Sequence, residues 1–206
     1  TNRQKDDIDW SGIFEVINSV TEDLKTKFPY AVLNVEHAEA DDIIGVLSKY
    51  YYRNHPIMIV SSDKDFIQLH KYYNVKQFSP TQKKLLNSID PNEYLKEHIM
   101  RGDGSDGIPN FLSSDNCIID KIRQTPLSKK KIEAWLYQDP EDFCNDEQLR
   151  NYHRNLKLID LQFTPLDIID QVVEQFNVEP KGKRSGLLNY FIERKLNNLI
   201  QDIGEF

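Results

Sequence analysis

The sequence predicts an α/β fold: a helix-flanked, mostly parallel sheet within residues 1–100, followed by a helical half over residues 101–206. Three observations carry this. Strand and helix patterns alternate through the first hundred residues, the order that builds a parallel sheet covered by helices. After residue 100 no clear strand pattern follows, and apolar residues recur at helical spacing instead. A chain of 206 residues that is 39% hydrophobic can bury one substantial core, or a core with a small appended domain, without disulfides or a structural metal.

The elements follow in order. Ile13, Val16, Ile17, Val20 and Leu24 repeat at helical spacing, so residues 11–27 read as an amphipathic helix whose apolar stripe needs a partner; Pro29 ends it. Ala31–Val35 reads as a short buried strand. Ile43, Val46, Leu47 and Tyr50 mark one face of a second helix, which His55-Pro56 closes. Ile57–Val60 is a second strand, Phe66–His70 begins another helix, and Val75–Phe78 is a third strand. Asp90-Pro91 with Glu93 is a helix start, combining a capping side chain, a first-turn proline and a carboxylate at the positive dipole end, and that helix runs to about Met100. Helical patterns then cover Ile118–Ile122, Lys129–Leu136, Asp146–Leu158, Pro165–Gln175 and Leu187–Asp202. There is no fixed-period repeat and no low-complexity stretch.

Composition excludes several classes. No run approaches the roughly 18 apolar residues of a membrane span, and the opening TNRQKDDIDW lacks the basic start and apolar centre of a signal peptide, so a cytoplasmic location is expected. Cys117 and Cys144 share no short spacing with the histidines; both are read as reduced, with neither a zinc site nor a disulfide framework. The net charge of −7 argues against nucleic-acid binding by a general positive field, yet its distribution is uneven. Basic residues gather in Lys121–Lys131, Lys181–Arg184 and Arg194-Lys195, acidic ones in Glu36–Asp42, Asp63–Asp65 and Asp103–Asp106. Taken alone, each charge run is a solvated face more often than a site.

Position gives the acidic runs their meaning. In open α/β sheets the ligand site lies outside the carboxyl ends of the strands. Glu39 and Asp41 follow the first predicted strand, and Asp63 and Asp65 follow the second, so a right-handed crossover would bring all four to one rim. Asp103 and Asp106 lie in a loop flanked by Gly102, Gly104 and Gly107, where the backbone can approach a cation or phosphate. Mg²⁺ takes oxygen ligands and keeps several waters, so its protein sites are built from a few converging carboxylates. Two such ions, roughly 4 Å apart, are a means of hydrolysing phosphodiesters. An isolated D-x-D is usually a cap or a turn; three acidic pairs, two of them at strand ends, are hard to attribute to caps. The histidines His37, His55, His70 and His98 have no mutual metal spacing and receive no role. Tyr50, Tyr51, Tyr52, Tyr72 and Tyr73 are read as core and boundary residues rather than a base-stacking surface.

Glu39-Ala40-Asp41-Asp42, then Ser61-Ser62-Asp63-Lys64-Asp65-Phe66 with Gln68-Leu69, then Gly102-Asp103-Gly104-Ser105-Asp106-Gly107-Ile108-Pro109 resemble, in that order, the three acidic motifs of the flap endonuclease and 5′–3′ exonuclease family. The flanking Gln68–Gln77 region looks most like the ribonuclease H branch of T-even bacteriophages, and a looser similarity runs through Arg154–Asp160 to the closing Glu205-Phe206. The resemblance implies a PIN-like 5′ nuclease core with helices on both sides of the sheet, two Mg²⁺ ions that Mn²⁺ replaces, and a helix-hairpin-helix grip on duplex DNA. It implies removal of RNA primers and 5′ flaps during phage lagging-strand replication, in the host cytoplasm. The substrates would be branched or nicked duplex DNA and RNA·DNA hybrids, and the protein partners a single-strand binding protein or sliding clamp. Carried over residue by residue, Glu39, Asp41, Asp63 and Asp65 would be catalytic and hold the first ion, Asp103 and Asp106 would serve the second, and Asp42 would be a helix-capping neighbour.

Two departures from the family qualify its pattern. Family members begin with a strand ending in aspartate and carry another metal-binding aspartate and a basic bridging helix ahead of the first motif seen here. This sequence starts after them and so reads as N-terminally truncated, with Asn2-Arg3 a trace of the basic stretch. Where the family carries a glycine-rich hairpin, this chain has Asn110-Phe111-Leu112-Ser113-Ser114-Asp115; grip on the duplex is then expected from Lys121, Arg123, Lys129, Lys130 and Lys131 as phosphate contacts. The expected division is a partial α/β nuclease core over 1–100 and a helical, helix-hairpin-helix-like DNA-binding region over 101–206. The competing class is a noncatalytic or split-subunit DNA-binding module lacking the N-terminal metal ligands, which would bind branched DNA in a salt-dependent way without cutting it. A small single-strand ribonuclease domain would not need the helical half.

Overall fold

The structure, a computed structural model, describes residues 9–86 and 90–206. Asn2 and Arg3 lie outside the described residues. The chain separates into two compact units: Val35–Asp170, and the described residues up to Asn34 joined with Gln171–Phe206. The division expected at residue 100 falls within the Val35–Asp170 unit.

Helix α1 (Trp10–Lys27) opens where the Asp9 side chain accepts the Gly12 N–H at 3.0 Å, and it closes at Phe28, just before Pro29. Its C-terminal end is anchored: Leu24 and Phe28 pack with Leu187 and Phe191 in the small core of that unit. The rest of the expected apolar stripe, including Ile13, Val16, Ile17 and Val20, stays exposed among the described residues. Ala31–Val35 is irregular rather than the expected strand. Its apolar run favours extension, but a strand exists only through a ladder to a neighbour, and among the described residues none pairs with it.

Within Val35–Asp170, α2 (Ala40–Tyr51) leads to β1 (Ile57–Val60), a 3₁₀ segment Asp65–Lys71 in place of the expected α-helix, β2 (Val75–Ser79) and β3 (Lys84–Leu86). β1 pairs in parallel with β2, Ile57 opposite Val75, and β2 pairs antiparallel with β3, Gln77 opposite Leu86. The sheet is therefore small and mixed. β3 escapes a pattern reading because it is three residues long and enters through a turn in which Lys83 takes a positive φ of 52°. Ile59, Phe66, Leu69 and Val75 form the core on this sheet, with Ile44, Tyr52, Tyr72 and Leu161 against it. Tyr52 and Tyr72 stack at 4.6 Å, whereas Tyr50 and Tyr73 are exposed.

The helical part follows with α3 (Pro91–Arg101), α4 (Lys129–Trp135), α5 (Pro140–Phe143), α6 (Asp146–Ile159) and α7 (Leu166–Phe176), then α8 (Leu187–Glu193) and α9 (Asn197–Gln201). α3 starts as its capping signals require, with Asp90 accepting from Asn92 and Glu93 N–H groups. Two expected helices differ. Ile118–Ile122 is a turn that ends with Lys121 at φ 57°, and Leu187–Asp202 is broken into α8 and α9 at Lys195, also at φ 57°. Periodicity shows which face is apolar but not where a single left-handed residue interrupts the ladder. No helix of the described residues is long and apolar enough to cross a membrane.

Phe111 is the centre of the helical core. It is fully buried among Ile99, Met100, Ile132, Tyr152 and Ile159, and its ring meets Trp135, Phe143 and Tyr152 edge-on at 5.8, 5.9 and 6.2 Å. Truncation to alanine removes those aromatic neighbours' packing and leaves a cavity. Phe111→Ala is expected to lower unfolding free energy by about 3–5 kcal/mol, read as a lower denaturation midpoint with an unchanged slope.

Candidate metal centre

The acidic side chains reach one cleft because each sits at the end of an element whose backbone is braced. β1 delivers Asp63. The Asp63 N–H donates to Ser61 Oγ at 3.1 Å, and Asp63 Oδ1 accepts the Asp65 N–H at 3.0 Å, which turns the chain into the 3₁₀ segment. Beneath it the buried Gln77 of β2 donates to the carbonyls of Ser61 at 2.9 Å and Asp63 at 2.6 Å. Ser62 Oγ lies 2.8 Å from Ser79 Oγ and 2.9 Å from Thr81 Oγ1. The strand end is thus held by side chains of the neighbouring strand, which a search for acidic pairs passes over.

α2 delivers Glu39 and Asp41. Asp42 accepts the Glu39 N–H at 3.1 Å and the Thr164 hydroxyl at 3.0 Å, so it caps α2 and ties its start to residues after α6. Glu39, in the capping position, is exposed, and Asp41 is half-buried in the first turn.

α3 delivers the third pair. It ends at Gly102, where φ is +68° and a Cβ would stand 2.4 Å from the carbonyl oxygens of both Ile108 and Pro109; only glycine fits. The following loop closes on Asp103, whose carbonyl accepts the Ile108 N–H at 2.7 Å and whose carboxylate takes both the N–H and the hydroxyl of Ser105. From α6, the fully buried Asn155 donates to the carbonyls of Ile99 and Pro109, each at 2.9 Å. Arg154 adds a bond to Pro109 at 3.1 Å and pairs with Asp115. The loop is clamped at both ends by α6.

The result is two groups of ligand-capable atoms, each mutually within 4.8 Å: Asp41, Asp63 and Asp65 in one, and Asp65, His98 and Asp103 in the other, with Asp65 common to both. Glu39 and Asp106 line the same open cavity of 460 Å³ without joining either tight group. Crowding shows in the acidities. Burial, then Asp63, Asp65, Glu39 and Asp42, push Asp41 up to about 6. Asp65 is raised mainly by burial, with Asp63, Asp103 and Asp106 adding and His98 opposing. Asp103 is lowered, chiefly by the Ser105 hydroxyl. Tyr94, at the edge of the cavity, is pushed up to about 12 by burial and the surrounding carboxylates. An open cavity lined by carboxylates, of which Asp41 and Asp65 resist ionising, suits a hard divalent cation with several retained waters.

His98 has no role in a reading of the sequence, yet it stands inside the cluster, its Nε2 3.3 Å from Asp103 and its Nδ1 3.6 Å from Asp65. Spacing to other histidines does not reveal it. The usable signal is its place in the last turn of α3, four residues before Gly102, next to the loop that the helix feeds. The basic residues lie elsewhere. Arg123 shares a groove with Arg101, Asn110 and Gln124, while Lys121 and Lys129–Lys131 are exposed; Lys129 pairs with Glu133 at 3.7 Å and Lys131 lies over Trp135 at 5.9 Å.

Residues 1–99 match the family of 5′-3′ exonuclease N-terminal resolvase-like domains, and residues 90–206 match the family described as T4 RNase H, C terminal. The ribonuclease H of Enterobacteria phage T4 is 32% identical over an alignment covering 99% of this chain and 70% of the relative. The chain belongs to the 5′-3′ exonuclease family. Among solved structures, a T5 protein co-crystallised with metal ions superposes with a TM-score of 0.56 at 20% identity, covering 81% of this chain and 69% of that one. A mutant T5 5′-exonuclease gives 0.55 at 20% identity, with coverage of 80% and 74%. At that identity these two structures speak for the fold, which is PIN-like.

The raised Asp41 has a thermodynamic consequence. Its pKa in the folded chain lies above the ordinary 3.8, so its contribution to stability is present below that value and is lost as pH rises through about 6. In EDTA, Asp41→Asn is therefore expected to melt higher than the unaltered chain near pH ~8, with the gap closing towards pH ~4. Calorimetry should show Mn²⁺ affinity falling as pH drops through about 6, because the ion must displace the proton.

Proposed function

We propose that this chain is a divalent-metal-dependent 5′–3′ exonuclease and flap endonuclease of the ribonuclease H type, hydrolysing phosphodiester bonds at the 5′ ends of RNA primers and flaps. The observation that carries the reading is the sharing of Asp65 between two groups, one with Asp41 and Asp63, the other with Asp103 beside His98. One carboxylate between two clusters is how a protein holds two cations side by side. In this reading Glu39, Asp41, Asp63 and Asp65 serve the first Mg²⁺ and are catalytic, and Asp103 and Asp106 serve the second through water. Bound ions would supply a water that ionises near neutral pH and neutralise charge on the scissile phosphate. The protein's own part is to hold the carboxylates at fixed separations before substrate arrives, through Gln77, Asn155 and Gly102.

Roles divide near residue 100. The first part carries the α/β nuclease core; the helical region after it grips branched or nicked duplex DNA and RNA·DNA hybrids. Lys121, Arg123, Lys129, Lys130 and Lys131 contact phosphates without reading bases, and the groove holding Arg101 and Arg123 extends that surface. The similarity to a phage ribonuclease H supports a role in phage lagging-strand replication in the host cytoplasm, beside a single-strand binding protein or sliding clamp.

A 5′-labelled flap and a nicked RNA·DNA duplex incubated with Mg²⁺ test the activity. Cleavage is expected with the unaltered chain, none in EDTA, and a rate at least about 100-fold lower for Asp63→Asn. Tight duplex binding with no metal-dependent cutting would favour the noncatalytic or split-subunit module instead. Replacing Lys129, Lys130 and Lys131 together by alanine is expected to weaken binding evenly across sequences. It should also reduce the slope of log affinity against log salt by about 1 for each phosphate that is no longer neutralised.

A further inference from the structure

We infer that His98 is a positioning residue that ties the second acidic pair to the third and so sets the spacing of the two cation sites. The inference rests on the metal-dependent reading above and adds a residue to it. The imidazole stands between two carboxylates with one nitrogen towards each: Nε2 is 3.3 Å from Asp103 Oδ2, and Nδ1 is 3.6 Å from Asp65 Oδ1. Asp65 comes from the turn after β1 and Asp103 from the loop after α3, and His98 reaches both.

The ring is well placed to act as a strut. Its side chain is 14% exposed, it meets Tyr94 edge-on at 5.9 Å, and the next two residues, Ile99 and Met100, are buried in the helical core. An imidazole held this firmly transmits the position of α3 to the carboxylates beside it. Nδ1 is the sharper clue. It is buried and, among the described residues, has no hydrogen-bond partner, the Asp65 oxygen standing just beyond bonding distance. A buried polar atom left unmet is costly, and this one faces Asp65, the shared member of both ligand groups, whose carboxylate can meet it only through a proton held between the two. His98 thus acts through Asp65 and Asp103, as groups that hydrogen-bond to metal-ligating carboxylates do.

The test uses the chain without DNA, titrated with Mn²⁺ in a calorimeter, beside its melting temperature in EDTA and the Mg²⁺ dependence of flap cleavage. His98→Phe keeps a ring and removes both nitrogens; His98→Gln keeps an N–H donor. His98→Phe is expected to bind Mn²⁺ about 10- to 100-fold more weakly and to need correspondingly more Mg²⁺ for half-maximal cleavage, while a single cooperative melting transition in EDTA shows that the variant is folded. His98→Gln should recover part of the affinity. An unchanged Mn²⁺ isotherm and Mg²⁺ dependence in His98→Phe would overturn the inference while leaving the nuclease reading intact; if that variant does not fold, an unchanged isotherm in His98→Leu, which also removes both nitrogens, does the same. An unaltered chain that binds no Mn²⁺ would overturn the nuclease reading itself, and this inference with it.

Discussion

Carboxylates gathered on one rim repel each other, and much of the Val35–Asp170 unit is arranged to keep them together. Asp41, Asp63 and Asp65 have carboxylate oxygens within 4.8 Å of one another, a spacing that costs free energy unless positive charge offsets it. The pKa values of Asp41 and Asp65, raised first by burial and then by neighbouring carboxylates, record that cost in part. What opposes it is buried hydrogen bonding to the backbone, together with the contacts that His98 and Ser105 make with the acids themselves. Gln77 holds the strand that carries Asp63, and Asn155 holds both ends of the loop that carries Asp103. Each of these amides is fully buried, so removing its partners would leave polar atoms unmet in a low-dielectric interior.

Two hydrophobic clusters among the described residues of that unit serve this arrangement in different ways. The sheet cluster around Ile59 and Phe66 sets where β1 ends. The helical cluster around Phe111 and Ile132 fixes α3 and α6, and through them the third acidic loop. Gln68 joins the levels: it is buried beside Phe66 and Leu69, and its side chain donates to the Ile159 carbonyl and accepts from the Leu161 N–H. A polar bridge of this kind fixes α6 against the 3₁₀ segment in one register, where apolar packing alone would tolerate sliding.

A functional site built on strand ends and helix starts also explains the uneven charge of the chain. The acidic residues lie where elements stop, because a cation needs ligands from several directions. The basic residues lie on exposed turns and on α4, where long side chains can follow a phosphate backbone. A net charge of −7 is then no obstacle to a nucleic-acid substrate.

Much of this is legible in the sequence. Alternating patterns place β1, β2, α2, α3, α4 and α6 within a few residues, and the order of three acidic pairs locates the cleft, because local propensity and burial periodicity are written into neighbouring residues. Two kinds of feature are not. Whether Ala31–Val35 becomes a strand depends on a hydrogen-bonding neighbour elsewhere in the chain, and where a ladder breaks depends on single left-handed residues such as Lys121 and Lys195. His98, Gln77 and Asn155 matter only through partners 5 to 56 residues away in sequence. The sequence by itself determined the chemical type of the cleft and the elements that line it; the tertiary structure alone decided which side chains share a cation's reach, since distance through space is set by packing.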